Sequence, residues 1–272
     1  MEYYLVIVNY NNSDVTINCI QSTKKILGKK FSKIMVVDNN SNDLDRNRLC
    51  CFIKKESCVN IELLKLDSNI GYFPAINQGI LALGLFGKRD FFLVIGNNDL
   101  FFPNNFIKKL SAIVVDENIF VISPDILTPQ GIHQNPHVIH RISFFRRLLY
   151  KFYFCSYPIA YMLTFLGGKL NLNRREVSRK GYEKEQIIRM GFGACYIILP
   201  QFIQKVGLLD ESVFLMGEEA LLGNQVYSHN GKILYTPRVC VYHQDHSTFK
   251  KMPPRSTYYI TRKSYRIYKK YL

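Results

Sequence analysis

The stretch Tyr3-Tyr4-Leu5-Val6-Ile7-Val8-Asn9-Tyr10-Asn11-Asn12 runs from a strand-forming aliphatic core straight into a polar tip. The same device returns at KIMVVDNNS (33–41), IELLKLDSNIG (61–71) and FFLVIGNND (91–99). Runs of Val, Ile, Leu and Phe of this length fit strands covered on both faces, although a short buried helix is the alternative for each taken alone. Between them, residues 14–27, 43–54 and 74–85 carry apolar residues at helical spacing, with Asp14 and Asp43 as candidate N-caps. The order predicts a βαβαβαβ unit, that is, an α/β fold with a parallel sheet under crossover helices.

In such sheets ligands bind beyond the carboxyl ends of the strands, which gives the tips their interest. They read Asn9-Tyr10-Asn11-Asn12, Asp38-Asn39-Asn40-Ser41, Asp67-Ser68-Asn69-Ile70-Gly71 and Asn97-Asn98-Asp99. Asn, Asp and Ser also make turns and caps through local hydrogen bonds. Four such tips on one edge favour a ligand site over turns alone.

Working outward, residues 124–189 lack the alternation and read as an insertion, with FFRRLLYK (144–151) followed by the apolar FYFCSYPIAYMLTFLGG. Regular patterning resumes with GACYIIL (193–199), a helical 218–229, and two strand-like runs at 232–237 and 239–243. The tail, 253–272, is a basic, tyrosine-rich helix candidate. The expected organisation is one domain over 1–250, made of a half at 1–120 and a half at 121–250 with an insertion at about 129–190, and then the tail helix at 251–272.

The chain has 272 residues, 47% of them hydrophobic, which suffices for a sizeable core and excludes disorder and fibrous repeats. Thirty-six Lys and Arg against 21 Asp and Glu leave a net charge of +15, favouring anionic partners: nucleotide diphosphates, nucleic acid or anionic lipid. Seven cysteines without regular spacing, among them Cys58, suit a reducing compartment, so a cytosolic setting is expected. The opening residues lack the basic n-region and cleavage site of a signal peptide. No uncharged apolar run reaches the ~20 residues of a membrane span; the nearest, 152–166, contains Pro158.

Several motifs carry chemistry. Asp99, at a strand end in an open polar loop, can hold a divalent cation that grips a diphosphate, or can serve as a turn before Pro103. Glu218 and Glu219 open a helix, where adjacent carboxylates repel and one keeps a raised pKa suited to proton abstraction; favourable acidic placement in a first turn is the plainer alternative. His243-Gln244-Asp245-His246 closes a strand, and a strand-end His is a candidate cation or diphosphate ligand or simply a surface residue. His133, His137 and His140 are spaced like a cluster, but Pro136 interrupts any helix through them, so an ordinary loop is expected rather than zinc. Gly191-Phe192-Gly193-Ala194 precedes a strand, which makes it a site of close backbone approach and not a phosphate loop. No GxSxG elbow or Cys–His nucleophile is evident, so direct displacement fits better than covalent hydrolysis.

Taken in order, VIVNYNN, VVDNNSND, NIGYFPAINQGI, LVIGNND and GLLDESVFLMGEEALLGNQVYSHNGKILYTPRVCVYH resemble the family 2 glycosyltransferases, particularly the bacterial branch that builds capsular and O-antigen polysaccharides. The resemblance covers nearly the whole chain and is weakest at about 129–190. It implies a GT-A fold, an inverting mechanism, a nucleotide-sugar donor and Mg2+ or Mn2+. It also implies that Asn9, Tyr10 and Asp38 contact the nucleotide base, and that Asn69, Gly71 and Asn77 shape the ribose and sugar side. Asn97-Asn98-Asp99 stands where the family has its DxD-like motif; only Asp99 is acidic, so Asp99 carries the cation and Asn97 at most bonds the ribose. Glu218-Glu219 falls on the Glu-Asp or Asp-Asp catalytic motif, with Glu219 at the base position. His243 matches a histidine that completes the metal or diphosphate site, and Arg262 matches a basic position of the tail.

The implied acceptor is a glycan or a polyprenyl-diphosphate-linked saccharide. Residues 144–166 and the basic tail then become candidates for peripheral attachment to the cytoplasmic membrane, with a lid or a homodimer contact as the alternative. Two other functions remain: a catalytically inactive glycan- or lipid-binding homologue, and another nucleotide-sugar enzyme such as a nucleotidyltransferase, which would normally open with a Gly-rich phosphate loop absent here. Nucleic acid is not an expected partner, because the basic residues are dispersed and no recognition motif is present.

Overall fold

β1 (Glu2–Asn9) lies inside the sheet, with a strand on either side, and its apolar side chains are covered on both faces. Tyr3, Leu5 and Ile7 enter one hydrophobic cluster and Tyr4 and Val6 the other. The computed structural model describes residues 1–28, 30–56, 60–169, 178–244 and 254–272. Cys58, Asp245, His246 and the expected boundary at 250/251 lie outside them.

After β1 come α1 (Ser13–Lys24), β2 (Lys33–Asp38), α2 (Asp43–Lys55), β3 (Ile61–Lys65), α3 (Tyr72–Leu83) and β4 (Phe91–Asn97), the expected alternation. β2 and β4 flank β1 in parallel, and β3 extends β2. The helices begin slightly earlier than the Asp14 and Asp43 expectation. Asn12 is the N-cap of α1, and Asn42 caps α2 by accepting from the Asp45 N–H at 3.0 Å. β3 is only half-buried, since it forms the edge of the sheet.

The second half adds β5 (Leu100–Phe101), α4 (Phe106–Ser111), β6 (Ile119–Leu127), α5 (Phe144–Tyr153), α6 (Tyr157–Lys169), β7 (Gln186–Ile188), β8 (Cys195–Ile198), α7 (Pro200–Lys205), α8 (Glu218–Ser228), β9 (Lys232–His243) and α9 (Pro254–Tyr268), with a closing 3-10 turn at Lys269–Tyr271. The strand order is β3-β2-β1-β4-β8-β6-β9-β5, with β7 also on β9. Through these pairings six strands run one way, and β5, β7 and β8 run against them.

Three features differ from expectation. The runs at 232–237 and 239–243 are one strand, β9, because a register shift opposite Pro124/Asp125 of β6 absorbs the irregularity between them. β6 itself crosses Pro124, which has no N–H to donate and sits at that shift. The expected insertion holds two helices and β7, and its ends are stitched by the Val138–Met190 bridge.

The core is two layers on the sheet. Alternate residues of β1, β2 and β4 pack under α1, α2 and α4 through Cys19, Ile20, Leu49, Phe106 and Ile107. The intervening residues pack under α3, α7 and α8 through Phe73, Ile76, Ile80, Phe202, Leu222 and Val226. Each such side chain contributes roughly 1.5–3 kcal/mol of apolar burial.

Candidate active site

The six co-directed strands bring Asn9, Asp38, Asn97 and His243 to one edge, and β8, running the other way, brings its leading residues Gly193 and Ala194 to the same place. The chain lays β2 and β3 on one side of β1 and then crosses through α3 to β4 on the other, which makes the switch point at which open α/β sheets form a crevice.

On the β1/β2 side the polar tips are cross-linked. Asn9 is fully buried. Its Nδ2 lies within hydrogen-bond distance of Asp38 Oδ1 (3.0 Å), Ser41 Oγ (3.0 Å) and Asp45 Oδ2 (2.9 Å), while its Oδ1 accepts from Thr16 Oγ1 at 2.8 Å. Asn9 is therefore a brace for the tip. Asp38 is equally buried and accepts from Arg46 Nε at 2.8 Å, whereas Tyr10 stands exposed beside them. Burial raises the Asp45 carboxyl, but bonds from Asn9 and Ser13 outweigh it and hold the group below its usual range.

Asn39 joins β2 to the next tip: its Nδ2 donates to Asn69 Oδ1 (2.9 Å) and to the Gly71 carbonyl (3.0 Å), and its Oδ1 accepts the Ile70 N–H (3.0 Å). Gly71 has φ +100°, and a Cβ there would stand 2.5 Å from the Phe214 carbonyl oxygen, so the position needs glycine on both counts. Asn77, also fully buried, donates to the Leu209 carbonyl and Glu211 Oε1, both at 2.8 Å, and accepts the Leu209 N–H at 3.0 Å. Thus α3 clamps the loop that leads to Glu218.

At β4, Asn98 Nδ2 donates to Thr16 Oγ1 (2.8 Å) and Asn97 Nδ2 lies 3.3 Å from His243 Nε2. His243 Nε2 is also 3.2 Å from Asp99 Oδ1, and both side chains are buried. His243 Nδ1 lies 2.9 Å from Gln134 Oε1; donation of an Nδ1–H there leaves Nε2 as a lone pair beside the carboxylate. An imidazole nitrogen and a carboxylate oxygen about 3 Å apart match adjacent corners around a small divalent cation with bonds of about 2.1 Å. Among the described residues no group of three or more His, Cys, Asp or Glu gathers to hold a metal alone. A cation here would draw its other ligands from the substrate and water. His133, by contrast, bonds Asp125 at 2.8 Å and stacks on Tyr182.

The two glutamates sit at a strained turn. Met216 (φ +71°) and Gly217 (φ +103°) both have left-handed backbones immediately before α8, a costly geometry for Met. Glu218 is buried and accepts the Met216 N–H at 3.0 Å; burial first, then the Glu219 charge, push its carboxyl up to about 8. Glu219 is half-buried, and burial likewise raises its pKa, against hydrogen bonds from its own N–H and those of Gly193 and Gly217. A Cβ on Gly193 would lie 2.7 Å from Glu219 Oε1, which is the close approach that glycine permits. On the next residue, the Ala194 carbonyl accepts the Asn97 N–H at 2.9 Å. The 193–194 backbone therefore places Glu219 and the Asn97–Asp99 tip on neighbouring positions of one edge.

Arg262 has its guanidinium tied elsewhere, with Nε to the Phe154 carbonyl and Nη2 to that of Cys155, both at 2.8 Å. Asn39 and Ser41 belong to the second polar tip without a role of their own in the sequence reading, whereas Thr16, inside the first helix, and Gln134, in a segment without periodicity, carry no sequence signal. No helix among the described residues is long and apolar enough to cross a membrane.

Solved structures with this architecture include GalNAc-T7 with UDP, GalNAc and Mn2+ (TM-score 0.61, 17% identity, covering 90% of this chain and 44% of that one). S. aureus TarS residues 1–349 with UDP-GlcNAc gives a TM-score of 0.57 at 13% identity, covering 91% and 59%. The mannosyltransferase PcManGT from Pyrobaculum calidifontis with GDP-Man and Mn2+ gives 0.56 at 12%, covering 97% and 69%. The chain thus spans about half the length of the first two, and these likenesses establish a GT-A type fold. No curated protein matches the sequence. The family model described as glycosyl transferase family 2 matches residues 4–181, about two thirds of the chain and the whole span of tips from Asn9 to Asp99; with the fold, this establishes that the chain belongs to that family.

Proposed function

We propose that the protein is an inverting glycosyltransferase that moves a sugar from a nucleoside-diphosphate-sugar to a hydroxyl of a glycan or lipid-linked saccharide in surface polysaccharide synthesis. The observation that carries this reading is the placement of Glu219, a half-buried carboxyl with a raised pKa, on the edge that also holds the Asp99–His243 pair. Residues 1–120 form the donor half, and residues 121–250 supply the acceptor side and the base.

Tyr10 offers the base an exposed aromatic face, with Asp38 beside it, and the Asn39-braced Asn69–Gly71 turn borders the ribose. Asn9 braces the β1 and β2 tips, Asn77 clamps the loop before Glu218, and Arg262 ties α9 to the α5–α6 connection. Asp99 and His243 would hold Mg2+ or Mn2+, which when bound neutralises charge on the leaving diphosphate. The Glu219 carboxylate takes the proton of the acceptor hydroxyl. That oxygen forms its bond to the anomeric carbon on the side opposite the departing diphosphate, and a single displacement inverts the centre.

The exposed apolar face of α5, with Phe144, Phe145, Leu148, Leu149 and Phe152, and the exposed Tyr161, Met162, Phe165 and Leu166 of α6 support peripheral attachment to the cytoplasmic membrane. The decisive measurement is release of nucleoside diphosphate from UDP-, GDP- and dTDP-sugars with Mn2+, Mg2+ or EDTA. One donor should turn over in a metal-dependent way, and Asp99→Ala and Glu219→Gln should lose turnover while Glu219→Gln still binds donor. Absence of donor binding and turnover, even with lipid-linked acceptor extract, would leave a glycan- or lipid-binding homologue as the reading.

A further inference from the structure

A cavity of about 300 Å3 opens between the 136–143 segment, the start of α5 and residues 179–180. Its chemistry is one-sided: His137, His140, Arg141, Arg146, Arg179 and Lys180 line it, and among the described residues no carboxylate does. Among the described residues none of these arginines or Lys180 forms an ion pair with an acid, whereas Arg46, Arg48 and Arg238 elsewhere do. Arg179 is half-buried, and burial followed by the charge of Arg146 lowers its pKa. Like charges held together without a counter-charge are a standing electrostatic cost, which a bound anion relieves.

A second observation points the same way. His137 Nδ1 is enclosed and has no hydrogen-bond partner among the described residues, in a chain where buried polar atoms are generally paired. Burial, then Arg179 and Arg146, hold its imidazole down to about 4, so at neutral pH this ring of the wall is neutral and the positive charge of the cavity comes from Arg141, Arg146, Arg179 and Lys180.

The cavity is one ring away from the candidate metal pair. Phe192 packs edge-on against His137 (centroids 5.7 Å) and against His243 (5.9 Å). Buried Asn135 fixes this wall, accepting the Phe192 N–H at 2.8 Å and donating to Ser123 Oγ and the Pro124 carbonyl. Arg146 belongs to α5, whose exposed apolar face begins at the adjacent Phe144 and Phe145, so the cavity mouth also borders the proposed membrane surface.

The geometry points to this cavity as a second anion site, separate from the Asp99–His243 pair, that takes the phosphate or diphosphate ester of the sugar acceptor. The inference rests on the transferase reading and gives its acceptor a chemical class: an amphiphile or polymer whose acceptor sugar stands close to a phosphate.

The test is calorimetric titration of the full chain with inorganic pyrophosphate in EDTA, in the Asp99→Ala background so that the donor cleft contributes least. Saturable binding is expected, weakening about tenfold or more in Arg146→Ala and in Arg179→Ala and largely restored in Arg179→Lys, with circular dichroism unchanged. A parallel series uses phosphatidylcholine vesicles carrying farnesyl diphosphate against vesicles of phosphatidylglycerol. The same variants should weaken capture by the first far more than by the second. No pyrophosphate binding, or binding that the folded variants leave intact, overturns the site. Loss confined to phosphatidylglycerol overturns it in favour of a general headgroup contact. Stabilisation of the Arg146→Ala variant by nucleoside diphosphate with Mn2+ reads the donor cleft separately. If that is kept while pyrophosphate fails, only the anion site falls; if it is absent in the wild type too, the transferase reading falls with it.

Discussion

At the scale of residues, the two members of the proposed catalytic pair, Glu218 and Glu219, differ in environment. Glu218 is enclosed and bonded to the Met216 N–H, while Glu219 is the more open of the two and stands against Gly193. Glu218 has a folded-state pKa near 8 against 4.5 for the free group, so the stability it contributes is full below about 4.5 and is lost as pH rises through 8. Glu218→Gln keeps an acceptor for Met216 and removes the ionisation, so urea denaturation at pH 5, 7 and 9 should show a flatter profile for the variant. The gap at pH 9 should be on the order of a few kcal/mol. In turnover the sign is opposite: the base must be ionised, so activity climbs with pH through the raised pKa of Glu219. Glu219→Gln should cost about a hundred- to ten-thousandfold in kcat. Glu218→Gln should stay within about tenfold of wild type and leave the acidic limb nearly in place, because Glu218 is still protonated where Glu219 ionises. The reverse pattern in the two kcat profiles would exchange their roles.

At the scale of elements, α5 separates what packing needs from what the surface offers. Phe144, Phe145, Leu148, Leu149 and Phe152 fall on one face at about 100° per residue, and none of α5 is buried. Because these side chains are already exposed, Leu148→Ser with Leu149→Ser should leave the melting temperature nearly unchanged. Co-sedimentation with phosphatidylglycerol vesicles should fall about tenfold or more, since each Leu forfeits up to roughly 1.5–3 kcal/mol of burial. Unchanged co-sedimentation together with a shift from dimer to monomer would assign the face to a second copy. The same distinction explains what was legible beforehand. β1 to β4 announce themselves because strand, tip and helix follow one another locally, and Asp99, Glu219 and His243 are visible as element ends. β6 is hidden by Ser123-Pro124-Asp125 in its middle, since its partners β8 and β9 come later in the chain. Gln134, Asn135 and Phe192 are invisible for a related reason: they meet His243, Ser123 and His137 only in space.

At the scale of the molecule, α9 ties the proposed membrane face to the turn before the proposed base. Arg262 grips the α5–α6 connection, and Tyr258 and Tyr265 pack on Phe154. Further along the same helix, Ser264 Oγ donates to the Leu215 carbonyl at 2.7 Å, and the Tyr268 ring covers Gly217 so closely that a Cβ there would overlap it. The two left-handed residues before Glu218 are thus held from above by a helix whose other contacts lie on α5 and α6. Tyr268→Ala removes that cover without touching residues 1–120, so it should relax the turn and leave the donor cleft intact. The expected signature is a fall in kcat of about tenfold with donor KM within about twofold, the pattern of a group lost from the transition state and not from ground-state binding. Hydrogen exchange should report the same division, with faster exchange over 211–219 and unchanged protection in β1, β2 and β4. If exchange quickens equally in both halves, Tyr268 is a general packing residue. If neither kcat nor exchange at 211–219 changes, the turn holds its strain through Gly193, Asn77 and Gly71 alone, and α9 serves only the membrane side.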